Sequence, residues 1–346
     1  MKKTVRSWIG KNLFAAVTIL LSAAMLTVFL RTEKGLRNFR HAFTQLRPVW
    51  LIWIAVGVLA GWFLESYVLH LFCRHLNGKW TFGRSFYIGM TGLFYSAVTP
   101  FSMGEPMEVY NMTKMGMDTG AATSIVAVKS LVHHAVTFVY SLLLVLFELS
   151  YFQTRVSNFS FVTVFGLLTN SIFIAAVIMF MVNERLTDSV LRGIVKLLDK
   201  IKLHRLSQKF YRKVREQLLI FHDSSKKMGK SLALYAAAVS LTLVQITIAS
   251  LISYFVYRSF NLKGESVFIM VAADTFVTMV ASFVPSPGST GGAEGGFYLF
   301  FHDFFGESIV PAITLWRLAT YFANILFGGA VVFMENRKYN SQETQQ

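Results

Sequence analysis

Four charged side chains stand where an apolar chain has least use for them. Glu105 and Glu294 each follow a Pro/Gly break between hydrophobic segments, and Lys129 and Arg317 lie 24 and 23 residues further on, inside apolar runs. An ionised group in hydrocarbon costs several kcal/mol unless it is paired or hydrated, so each needs a partner or a wet cavity. Carboxylates can hold an ammonium, and the two cations can pair with those carboxylates at rest and meet a phosphate when substrate arrives. The stretch VPSPGSTGGAEGGF, residues 284–297, surrounds Glu294 with five glycines and two prolines. Pro285, Pro287, Gly288, Gly291 and Gly292 make its backbone irregular, as Pro100 and Gly104 do around Glu105. Hydroxyls at Ser286, Ser289 and Thr290, with amide N–H groups freed by the glycines, suit an anionic head. Asp274, Glu65, His133 and His134 also fall within apolar stretches. One polar cavity shared by these groups, with Asp274 in its lining, would accept a zwitterionic or cationic phospholipid head.

Plainer roles compete with that reading. An acidic residue after a Pro/Gly turn also steadies the first turn of the next helix. Lys129 and Arg317 would serve equally well as salt bridges holding helices together. No nucleophile–base set points to a catalytic residue. His133 and His134 are neighbours that face different sides of a helix, and no HExxH occurs, so neither metal ligation nor a bound cofactor is expected. The lone cysteine, Cys73, rules out an intrachain disulfide framework.

The elements that must position these groups are membrane helices. With 54% hydrophobic residues and 33 phenylalanines among 346, the chain reads as a single all-α polytopic membrane domain over 1–346. Apolar runs at about 12–30, 48–72, 121–148, 159–182, 231–257 and 307–334 give about six spanning helices. The first, with its basic head, is expected as an uncleaved span rather than a signal peptide. Shorter runs at 85–99 and 266–284 each end in a Pro/Gly break and a second short run, the pattern of a re-entrant helical hairpin. Gly57 and Gly61 form a small-xxx-small face suited to helix packing.

The two hairpins belong to an internal duplication. Arg74 and Asn77 precede an apolar run that reaches SAVTP, then glycine, then Glu105; Arg258 and Asn261 precede one that reaches SFVPSP, then glycine, then Glu294. Repeat one covers about 48–148 and repeat two about 231–335. An odd number of crossings separates them, so they are expected to be inverted, and paired broken segments in such repeats mark a transport site near the midplane.

Between the repeats, residues 185–230 carry 13 Lys/Arg against four Asp/Glu. Their apolar residues recur at helical spacing, which predicts a basic amphipathic linker lying on an anionic membrane surface in the cytoplasm. Both termini then fall on the same side, while the basic loop 31–47 falls outside, against the positive-inside tendency. The net charge of +15 is assigned to these loops, not to nucleic acid, and no phosphate-binding Gly-Lys-Ser/Thr loop is present.

The segments TPFSMGEPMEVY (99–110), VPSPGSTGGAEGGF (284–297) and LWRLATYFANILFGG (315–329) resemble the flippase-type membrane domain of the lysylphosphatidylglycerol synthase family, also called multiple peptide resistance factor. The resemblance extends over most of the chain. It implies a multi-pass protein of the bacterial plasma membrane that moves or exposes aminoacylated phospholipids on the outer leaflet, lowering the attraction of cationic antimicrobial peptides. Full-length members carry a soluble lysyltransferase domain, and this sequence reaches Gln346 without one, so phosphatidylglycerol lysyltransferase activity is not assumed. The expected partners are a phospholipid substrate and the anionic membrane surface, with a second copy of the chain or a separate lipid synthase left open. A membrane-embedded lipid-modifying enzyme and a small-solute transporter stand as the alternatives.

Overall fold

Pro48, with its fixed φ and no N–H to satisfy, opens the first helix of the computed structural model, α1 (Pro48–Leu76). The structure describes residues 44, 46–100, 103–156, 159–200, 204–282 and 284–343. The expected span at 12–30 and most of the loop 31–47 lie outside the described residues. A second helix, α2 (Phe82–Val98), is followed by α3 (Gly104–Lys114) and the long α4 (Thr119–Arg155). At 1.5 Å per residue α4 is about 55 Å long, more than a bilayer's hydrocarbon thickness. Next come α5 (Phe159–Val182), the basic pair α6 (Glu184–Lys200) and α7 (His204–Gly229), then α8 (Leu232–Ser259) and α9 (Val267–Ala281). Last are α10 (Gly292–Phe305), α11 (Ile309–Arg317) and α12 (Ala323–Glu343).

This is an all-α polytopic membrane protein. Five stretches of the described residues are long and apolar enough to span: α1, α4, α5, α8 and the continuous run Pro287–Met334. That last run differs from the single helix expected at 307–334. A 3-10 turn at Gly306–Ser308 separates α10 from α11, and a π-helical turn at Leu318–Phe322 separates α11 from α12. α5 is exposed along most of its length, with Phe161, Val164, Leu168, Ile172 and Met179 bare, as a helix facing lipid tails would be.

The order long, short, break, short, long occurs twice, as α1 to α4 and as α8 to α12. In each set the two short helices pack on each other as a hairpin, α2 with α3 and α9 with α10. Two apolar cores form, one centred on each set but with residues of both. One gathers Leu69, Phe72, Ile88, Met112 and Ile125; the other gathers Phe276, Phe297, Phe300, Phe301 and Phe305 with Phe152 and Phe159. The leading helices α1 and α8 form the most extensive helix contact and run antiparallel: the Arg47 N–H, before α1, donates to the Ser259 carbonyl at the end of α8 (2.9 Å). Gly57 seats α1 on Ile252, where an added Cβ would sit 3.4 Å from Cγ1, whereas Gly61 faces open space. Only one of the two expected small residues therefore serves helix packing.

The described residues of the basic linker are helical, and part of their apolar surface is turned toward the protein. α7 packs along α4 and α6, burying Leu191, Phe221 and Met228. Gln217 Oε1 accepts from the Gly120 N–H (2.8 Å) at the start of α4, and only glycine there lets the α7 backbone approach so closely.

Candidate functional site

Lys129 lies inside α4 with its ammonium almost wholly withdrawn from solvent, so its charge must be answered locally. It donates to both oxygens of Glu108 on α3 (2.8 and 2.7 Å) and to Glu65 Oε1 near the middle of α1 (2.8 Å). All three donor positions of the ammonium are thus used. The other oxygen of Glu65 accepts from Gln245 Nε2 (2.8 Å), near the middle of α8. Ser130, next along α4, donates to Glu105 Oε1 on the first turn of α3.

Two glycines allow these elements to meet. A Cβ on Gly104 would collide with the Gly92 carbonyl and Ser96 Oγ, and one on Gly92 would collide with Glu108 Oε1. The close crossing of α2 and α3 therefore depends on both, and it delivers Glu108 to Lys129. Around the cluster lies a cavity of about 280 Å3 bordered by Glu65, Glu105, Glu108, Lys129, His133 and Gln245. Its walls come from four helices of the first set and from α8 of the second. Three carboxyl groups share it with one lysine, a formal excess of two acidic groups. His134, at its edge, bonds Asn170 Oδ1 through Nδ1 (2.7 Å) and lies against Phe173, tying α4 to α5.

The second cluster sits on a half-buried turn, residues 286–291, held by its own hydrogen bonds. Arg317 Nε donates to Glu294 Oε1 (2.7 Å), and Nη2 donates to the Gly288 carbonyl (3.1 Å) and, at 3.4 Å, to Thr290 Oγ1. Its guanidinium also lies 4.4 Å from the Tyr321 ring centroid. The second oxygen of Glu294 accepts from the Gly291 N–H (2.6 Å), so this carboxylate both caps α10 and holds the arginine. Gly288, Ser289 and Gly291 all adopt positive φ. Ser286 donates to the Thr290 carbonyl and Thr290 Oγ1 to the Pro287 carbonyl, both at 2.7 Å, which closes the turn on itself. Pro287–Ser289 packs against α2, beside a small cluster of Ala97, Val98, Tyr321 and Ile325. The two hairpin tips are therefore neighbours.

Several expectations change in detail. Arg317 pairs with Glu294 as anticipated, but the carboxylates on Lys129 are Glu108 and Glu65, with Glu105 on Ser130 instead. Glu294, Arg317, Ser286, Ser289, Thr290, Pro285, Pro287, Gly288, Gly291 and Gly292 do not border the Lys129 cavity. Asp274 does not border it either: Ser253 on α8 donates to its carboxyl group within the second core, and the residue is 6% exposed. A serine one helix away satisfies it without a cavity. Pro100 ends α2, and Gly104 opens α3 as required. Glu108, Ser130 and Gln245 were not anticipated. Ser130 and Gln245 are polar residues in apolar runs, the only signal the sequence carried for them, while Glu108 stands one turn after Glu105 on a helix of mixed polarity.

Comparison with known proteins agrees with this architecture. A UPF0104 membrane protein of Archaeoglobus fulgidus is 26% identical over 310 residues, covering 83% of this chain and 87% of that protein. The family model described as Lysylphosphatidylglycerol synthase TM region matches residues 13–328. The chain belongs to the lysylphosphatidylglycerol synthase transmembrane-region family.

Proposed function

We propose that this protein is a lipid translocator that carries the head group of an aminoacylated or related phospholipid, or of a glycolipid, through the Lys129 cavity. The observation that carries the reading is a charged cavity placed near mid-helix on α1 and α8, where the two structural sets meet. Excess carboxylates favour an ammonium, while Lys129 offers a cation to a phosphate once a carboxylate is displaced. The antiparallel α1 and α8 support inversion of the two sets, residues 48–148 and 231–335, and hence re-entry of their hairpins from opposite faces. Rocking of one set against the other would turn the cavity from one leaflet to the other while the Arg317–Glu294 latch holds the second hairpin rigid. The residues assigned to the substrate are Glu105, Glu108, Glu65 and Lys129; Arg317 and Glu294 position the hairpin.

The basic pair α6–α7 faces the anionic cytoplasmic leaflet in this reading, with both termini on that side of a plasma membrane. Exposing aminoacyl lipid on the outer leaflet would lower attraction of cationic peptides, and a lipid synthase or a second copy would be the protein partner. Reconstitution of the purified chain in vesicles with labelled aminoacyl-phosphatidylglycerol tests the proposal. A translocator relocates unmodified lipid between leaflets, an enzyme changes the lipid's mass, and a solute carrier does neither. Either of the last two results overturns it.

A further inference from the structure

A second cavity, of about 710 Å3, lies between the start of α4, the end of α5 and the basic pair α6–α7, and shares no lining residue with the Lys129 cavity. Its volume is within the roughly 300–1,000 Å3 of small-molecule sites. Phe180, Val190, Leu191 and Leu218 make its wall apolar, Thr123 adds a hydroxyl, and Lys213 stands on its border. Phe180 belongs to the last turn of lipid-facing α5, whereas Lys213 is exposed on α7. The groove therefore runs from the apolar end of α5 to the basic surface of α7.

The charges select the occupant. Lys226 is neutralised by Glu184 (2.6 Å), Lys227 by Asp223 (2.8 Å) and Arg192 by Asp188 (2.6 Å). Lys213, exposed on the groove's border, has no carboxylate partner among the described residues. An apolar trough with an unanswered cation at its mouth complements one acyl chain joined to an anionic head. The groove is held open by a fixed frame: His222 bonds the Met181 carbonyl at the end of α5 (3.0 Å) and Thr187 on α6 (2.9 Å). We infer that this groove is a binding site for a single anionic phospholipid, separate from the translocation cavity, with its acyl chain along Val190 and Leu218 and its phosphate at Lys213.

The test uses the full chain in phosphatidylcholine vesicles doped with either a diazirine-acyl phosphatidylglycerol or the matching diazirine-acyl phosphatidylcholine. After irradiation, labelled peptides are mapped by mass spectrometry. Peptides bearing Phe180, Val190 and Leu218 should take up the anionic probe about fivefold more than the zwitterionic one, the effect of one lysine near a charged surface. K213E should bring that ratio close to one, and V190W, which fills the trough from a half-exposed position, should lower labelling by both probes. Should V190W fail to fold, K213E at an exposed site still decides. Equal labelling of the native protein by the two probes overturns the inference, as does labelling that V190W leaves unchanged. Absence of label from these peptides, as when another segment of the chain fills the groove, overturns it too.

Discussion

Replacing Lys129 by methionine removes three charge-assisted hydrogen bonds and leaves Glu108 and Glu65 facing each other in a nearly closed space. The side chains of Lys129, Glu65 and Glu108 are only 10%, 18% and 4% exposed, so water offers little compensation. Breaking a buried ion pair from one side costs about 3–5 kcal/mol. An unfolding entropy of about 2.1 cal/mol/K per residue over 346 residues turns this into a Tm loss of about 4–7 °C. Thermal unfolding in detergent micelles, followed by the fluorescence of the six tryptophans, provides the assay. The triple variant E65Q/E108Q/K129M, which removes the stranded charges along with the lysine, should recover most of the loss. A K129M shift below about 1 °C, or a triple variant no better than K129M, would refute the claim that this lysine is held by those two carboxylates.

Three further outcomes are expected. Gly288→Ala should destabilise by about 2–4 kcal/mol, because its Cβ would enter the Tyr321 ring at a backbone φ of 56°. Gly61→Ala, which meets nothing within 4 Å, should instead be neutral or gain up to about 1 kcal/mol; thermal scans of both compare them. On the basic pair, the Lys226 hydrogen bond and charge hold the Glu184 carboxyl below its ordinary 4.5, and the Arg192 hydrogen bond holds Asp188 below 3.8. Depressed carboxyl groups add stability above their unfolded values and lose it as pH falls through the folded ones. Amide exchange in α6 and α7 should therefore quicken, after correction for intrinsic rates, between pH 6 and about 3, and unchanged protection would count against these pairs.

Much of this architecture was legible in the sequence because membrane constraints are severe. Apolar runs of spanning length locate α1, α4, α5 and α8, and the two Pro/Gly breaks locate both pairs of short helices, while the run expected as one helix at 307–334 is broken at Gly306 and Leu318. The interval from Glu294 to Arg317 anticipates a real ion pair. Sequence spacing could not decide which carboxylate Lys129 meets. Glu105 and Glu108 are one turn apart on α3, and the choice depends on how far α3 is rotated where Gly92 and Gly104 let it cross α2. Gln245 joins Glu65 across 180 residues, a pairing set by the α1–α8 crossing alone. Asp274 looked like a cavity residue because a lone acid in an apolar helix gives the same signal whether water or a serine from α8 satisfies it. The docking of α7 on α4 was hidden for a related reason: an amphipathic helix shows that its apolar face has a partner, without showing whether that partner is lipid or protein.

The central claim is that lipid heads pass through the Lys129 cavity, and narrowing that cavity without touching its ion pairs tests it most directly. Leu93, half-buried on α2 and part of the lining, provides the position. Leaflet relocation of labelled aminoacyl-phosphatidylglycerol by reconstituted Leu93→Trp should fall at least about tenfold, equivalent to about 1.4 kcal/mol on the barrier, while the Tm stays within a few degrees of the native protein's. Relocation at the native rate by a folded Leu93→Trp protein would contradict the account.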